Sequence, residues 1–258
     1  MSDACICVHA HFYQPPRENA WLEEVEEQPS AAPFHDWNAR ITAECYGPNG
    51  AARLLDDEGR IVGIRSNYES LSFNFGPTLL SWMERRAPDA YRNLLDADRR
   101  SRDRFGGHGS ALAQPYHHTI LPLATSRDRR TEVVWGIEDF SHRFGRDPEG
   151  MWLPETAVCL DTLEALAESG IRFTVLAPHQ AARTRPLGGS EWSDCHDEGF
   201  DTRVAYVQRL PSGREITLFF YDGATSTAVA FEKLLDDGMA LADRLAAPVR
   251  DGDGPRLA

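Results

Sequence analysis

A chain of 258 residues, 41 % of them hydrophobic, is long enough to bury a full core, and its formal net charge is -13. So acidic a balance excludes a nucleic-acid surface or a face for anionic membranes, both of which need clustered Lys and Arg. Five Cys at scattered spacings form no Cys-x-x-Cys pair, and the N-terminus lacks the basic and apolar stretches of a signal peptide, so a cytoplasmic protein with reduced thiols and no membrane span is predicted.

The apolar run Ala4 to Ala10 reads as a buried strand that ends at the histidines, where Pro15-Pro16 opens a loop. Residues 17–37 are acidic and broken by proline, which predicts a loop or lid insertion. Ile61 to Ser66 reads as a second strand running into Asn67, Tyr68 and Glu69. Pro77 to Arg86 then carries Leu79, Leu80 and Met83 at helical spacing, and Asp89 to Arg104 continues as a polar helix. The glycines at 106, 107 and 109 mark another strand-to-loop passage, ahead of Gln114-Pro115-Tyr116-His117-His118.

Thr131 to Phe144 is helical, with Val133, Val134, Ile137 and Phe140 on one face and Gly145 as its stop. A short strand, Gly150 to Pro154, leads to Glu155, followed by a helix from Leu160 to Ser169 and a strand from Ile171 to Leu176. Val204 to Leu210 and Glu215 to Tyr221 flank the turn Pro211-Ser212-Gly213-Arg214, so residues 204–221 read as a β-hairpin. Phe231 to Ala246 is a last helix, and Arg256-Leu257-Ala258 looks like the start of one more strand. Alternating strands and helices with polar residues at the strand ends predict an α/β fold of the parallel barrel kind; a doubly wound sheet competes, but no glycine-rich phosphate loop favours it.

His9 with His11, Asn67 with Glu69, His117 with His118, Glu155 and Asp222 all fall at or just after predicted strand ends. In a barrel such positions converge on one mouth. Singly, each also reads as a locally satisfied polar group. Trp152-Leu-Pro-Glu155 sets a carboxylate beside an indole, which suits a pyranose face and a nucleophile below it. The other reading makes Trp152 core and Glu155 an acid in the first turn of a helix starting near Thr156. His9-x-His11, pointing to one face of a strand, also fits a catalytic metal completed by His117, His118 and Asp222, as in a deacetylase or amidohydrolase.

Four blocks in order, His-Ala-His-Phe-Tyr-Gln-Pro-Pro at 9–16, Asn-Tyr-Glu-Ser-Leu-Ser-Phe-Asn-Phe-Gly-Pro at 67–77, Gln-Pro-Tyr-His-His-Thr-Ile-Leu-Pro-Leu at 114–123 and Met-Trp-Leu-Pro-Glu-Thr-Ala at 151–157, resemble the N-terminal domain of glycoside hydrolase family 57. The resemblance implies a single domain over residues 1–258, an incomplete (β/α)7 TIM-like barrel of the glycoside hydrolase/deacetylase type. It implies retaining action on α-glucans or related α-glycosides, by hydrolysis or glucanotransfer, with no cofactor and no required metal. Glu155 maps onto the nucleophile, and His9, His11, Glu69, His117, Trp152 and Asp222 onto the sugar cleft.

Retention needs a second carboxylic acid. The family carries it in an Asp-x-Glu block after a late strand, and no such block occurs before Ala258, so the expectation is a chain short of its last barrel elements and of its acid. Asp222, in Phe219-Phe220-Tyr221-Asp222-Gly223, resembles a sugar contact and is the one stand-in acid. The alternatives carried forward are a metal-dependent carbohydrate deacetylase and a non-catalytic α-glucan-binding fragment.

Overall fold

The first strand of the computed structural model, β1 (His9–Phe12), begins at the histidines instead of ending there. Residues 5–197 and 199–250 are described; Ala4, at the start of the predicted strand, and the predicted strand at 256–258 lie outside them. The shift has a plain cause: Ile6 and Val8 remain 45 % and 44 % exposed, so the apolar run ahead of His9 has no buried face to occupy. The described residues form two compact units, one over Val8–Ala157 and the other over residues 5–7 with 158–250.

In the first unit the insertion after β1 is a small hairpin, β2 (Glu18–Asn19) with β3 (Glu24–Val25), tied at its base by Arg17 to Gln14 and Gln28. Asp36 caps α1 (Trp37–Ile41) by accepting from the Ala39 N–H, and the helix widens over Thr42–Tyr46 into α2 (Gly47–Gly50). The predicted second strand forms, but outside the core sheet. Residues 61–65 form β5 (Ile61–Arg65), which pairs only with β4 (Ala52–Leu55) in a hairpin whose Leu55, Ile61, Val62 and Ile64 are exposed. The strand beside β1 is β6 (Ser72–Phe75), parallel to it with His9 opposite Ser72 and His11 opposite Asn74.

The period of two in these strands sorts their side chains onto two faces. Phe12, Phe73 and Phe75 meet Tyr46 and Tyr68 in a buried cluster of ring contacts, while His9, His11, Ser72 and Asn74 share the opposite, polar face. Phe73 bridges in parallel to Ala111, and Ala113 to Met151, so four β segments follow in chain order, all parallel. Their connections are α3 (Pro77–Arg86), which falls on the predicted bounds, α4 (Pro88–Arg104) and α5 (Ser126–Phe144). The last begins five residues before the predicted start because Thr125 accepts from the Asp128 N–H as its cap. Leu79, Met83, Leu94, Val133, Met151 and Leu153 fill the core of this unit.

The second unit holds α6 (Leu160–Glu168), then β7 (Phe173–Leu176), a two-residue pairing of β8 (Arg183–Thr184) with β9 (Ser193–Asp194), and the hairpin β10 (Tyr206–Arg209) with β11 (Glu215–Phe220). β11 also runs parallel to β7, giving a sheet ordered β10-β11-β7. The predicted last helix is displaced: α7 (Gly223–Phe231) ends where it was to begin, and α8 (Gly238–Arg250) follows a left-handed residue, Lys233. The sequence signal missed at α7 is its N-cap, Asp222. No helix among the described residues is long and apolar enough to cross a membrane.

Candidate active site

The polar face of β1 and β6 carries a hydrogen-bonded chain whose direction follows from its members' chemistry. The Asn74 side chain lies at its centre, fully buried. Its amide nitrogen donates to His11 Nδ1 (2.9 Å) and to Gln114 Oε1 (2.5 Å), and its oxygen accepts from His9 Nε2 (3.1 Å). His9 Nδ1 is then left to accept from Ser72 Oγ (2.9 Å), and His11 Nε2 to donate to His118 Nε2 (3.2 Å). In this arrangement the imidazoles are neutral, and a second proton on His118, at Nε2, would set donor against donor with His11.

The aromatic neighbours reinforce that state. Trp152 stacks on His9 (4.9 Å between centroids) and on His11 (5.1 Å), while Tyr13 stacks on His118 at 3.7 Å. Burial among these rings drives His9 down to about 4, and burial together with the neighbouring His11 drives His118 to the same value. Both folded values lie below the ordinary histidine value. The unfolded chain therefore takes up protons first as pH falls from about 6.5 to about 4, and stability is lost through that window. We expect the thermal midpoint to drop between pH 6.5 and 4.5, and the drop to shrink in His9→Gln; an equal drop in both proteins would refute this account.

Glu155 is exposed and stands in the turn that follows the Met151 bridge. Glu155 (φ 53) and Thr156 (φ 52) both adopt the left-handed region, which non-glycine residues avoid and a β-branched threonine avoids most. The following N–H groups close the turn, Thr156 onto the Leu153 carbonyl and Ala157 onto that of Pro154. Burial raises Tyr13 and the Glu155 charge adds to it, whereas burial lowers His11 and His118 and the same charge opposes that shift only in part. Nearby, the Trp152 indole N–H and the Gln114 amide nitrogen are buried without hydrogen-bond partners among the described residues.

Of the predicted site residues, the structure thus brings together His9, His11, Trp152 and Glu155. His117 goes elsewhere: its backbone N–H and its Nδ1 both bond to Glu132 on α5, at 2.8 Å each, and the residue beside it, left-handed His118, turns toward His11 instead. Glu69 stays at the N-terminal end of β6, three residues ahead of Ser72, and pairs with Arg100 of α4 at 2.7 Å. Sequence reasoning missed Asn74, Gln114, Ser72 and Tyr13. The first three were legible as polar residues at alternate positions of strand-like runs.

Asp222, in the second unit, is the N-cap of α7: its two oxygens accept from the Thr225 N–H (2.9 Å) and Oγ (2.8 Å). Burial pushes its carboxyl up, but the bonds from Thr225 and Ala224 outweigh it and the net pull is down. Asp222→Ala should cost about 1 kcal/mol, as lost caps do. A calorimetric midpoint lower by roughly 2–4 °C would show it, and an unchanged midpoint would contradict the capping role. Among the described residues, no group of three or more His, Cys, Asp or Glu is arranged to hold a metal ion.

Comparison with known proteins matches residues 56–247 to the model of "Glycosyl hydrolase family 57". The chain is similar to Alpha-amylase 1 of Dictyoglomus thermophilum, with 26 % identity over 106 residues, 41 % of this chain and 15 % of that protein. Its fold is similar to that of 4-alpha-glucanotransferase from Thermococcus litoralis, with a TM-score of 0.62 and 16 % identity, over 100 % of this chain and 33 % of that one. It is likewise similar to an exo-type maltose-forming amylase from Pyrococcus sp. ST04, with a TM-score of 0.66 and 15 % identity, over 99 % of this chain and 42 % of that one. The chain spans well under two thirds of the length of these relatives.

Proposed function

Because the chain belongs to glycosyl hydrolase family 57, we propose that it carries the nucleophile half of a retaining glycosidase or glucanotransferase acting on α-glucans, with Glu155 as that nucleophile. The reading rests above all on one observation: Glu155 occupies a strained left-handed turn directly after Trp152, whose indole lies across His9 and His11. Backbone strain of that kind is retained where the surroundings fix a side chain for a purpose.

In this reading the Glu155 carboxylate attacks the anomeric carbon, forming a glycosyl ester as the bond to the leaving oxygen breaks. A second carboxylic acid, about 5–5.5 Å from it, protonates that oxygen and then activates water or an acceptor hydroxyl. The cap bonds on Asp222 favour its ionised form, which does not suit it to donate that proton. His9, His11 and Trp152 border the sugar at the cleavage point. Neutral imidazoles accept and donate without repelling the positive charge that develops on the sugar ring.

The fold that would present these groups is an incomplete (β/α)7 barrel formed as one domain, of which the four parallel segments of the first unit would be the opening strands. Glu155→Gln in an active form that also carries the second carboxylic acid, assayed on a short malto-oligosaccharide, tests the assignment; unchanged turnover would overturn it.

A further inference from the structure

The loop that delivers His118 to the site has a second face, and that face carries a binding surface of its own. Tyr116, His117 and Trp135 stand ring against ring, Tyr116 edge-on to His117 (4.7 Å between centroids) and to Trp135 (5.8 Å), with His117 6.2 Å from Trp135. Trp135 is 51 % exposed, unusual for so large an apolar side chain. Glu132, one turn before it on α5, is buried, and both its oxygens are taken by His117. A carboxylate only accepts, so Nδ1 of His117 carries the proton. In the neutral imidazole Nε2 is then the acceptor; it makes no hydrogen bond among the described residues, and the His117 side chain is 45 % exposed.

We propose that this patch binds a neutral pyranose, with the sugar's C–H face on the Trp135 indole and a hydroxyl donating to His117 Nε2. An anion is disfavoured by the Glu132 carboxylate bonded to His117 and by the acidity of the chain, with its net charge of -13. A flat ring with a polar rim is what an indole and an oriented imidazole bind together. The identity of the sugar rests on the α-glucan reading above, whereas the existence of the site does not.

Retardation of the full chain by amylopectin in native gels tests the proposal. Trp135→Ala is expected to weaken retardation roughly tenfold in apparent Kd, as loss of one aromatic stack does. Trp135→Phe, which keeps a ring and guards against misfolding, should retain most of it, and Glu155→Gln should be retarded like the parent. Parent and Trp135→Ala migrating alike, or a parent that amylopectin does not retard, would overturn the site. If Glu155→Gln kept its turnover while retardation still depended on Trp135, the catalytic reading alone would fall.

Discussion

In an active form that also carries the second carboxylic acid, Glu155→Gln is expected to lower turnover of a malto-oligosaccharide by roughly 10³-fold or more while leaving the thermal midpoint within a few degrees of the parent, since it removes the proposed nucleophile and keeps the shape. Among the described residues the exposed carboxylate makes no hydrogen bond that Gln would have to replace, and the left-handed backbone at 155 is no worse for Gln than for Glu. Chemistry and stability should therefore separate cleanly. A further arm makes the role specific. In Glu155→Ala, with an activated α-glycosyl substrate, azide should enter the space left by the carboxylate and give a glycosyl azide of inverted configuration. Recovery of the retained anomer, or turnover in Gln close to that of Glu, would place the nucleophile elsewhere.

The second large effect is on the fold. Gly136 lies on α5, four residues after Glu132, and a Cβ there would stand 2.1 Å from the Gln114 carbonyl oxygen and 3.4 Å from the Pro115 Cα. Both obstacles are backbone, so no side chain can swing aside. Gly136→Ala must push the loop at 114–118 off α5. Overpacking of this kind commonly costs about 1–3 kcal/mol, and we expect the upper end, a midpoint lower by roughly 6–12 °C. Gly238→Ala, where a Cβ meets nothing within 4 Å, is the control and should stay within about 0.5 kcal/mol. If the two variants melt alike, the close approach does not shape the loop.

These two residues show unequally what the sequence discloses. Glu155 was readable because Trp152, Pro154 and the run into Thr156 form a compact block, and the helices at 77–86 and 88–104 were readable from apolar spacing and their prolines. Gly136 was not, since a helix-interior glycine looks the same whether it faces solvent or another segment's carbonyl. The hairpin of β4 and β5 misled for a related reason: Ile61, Val62 and Ile64 have strand character, but only tertiary burial distinguishes it from Ser72–Phe75, where half the side chains are polar. His117 was assigned to the cleft through its neighbour. Adjacent residues cannot point the same way, and only the partners Glu132 and His11 decide which imidazole goes where.

The paired left-handed residues at 155 and 156 place the molecule's interests in conflict. Each costs of order 1–2 kcal/mol relative to an unstrained conformation, and a sequence selected for thermal endurance alone would drift toward Gly or Asn at both positions. Directed evolution for heat resistance, run without an activity screen, would thus meet one of its easiest gains at the carboxylate proposed as the nucleophile, so thermostable descendants need checking at this turn before any other.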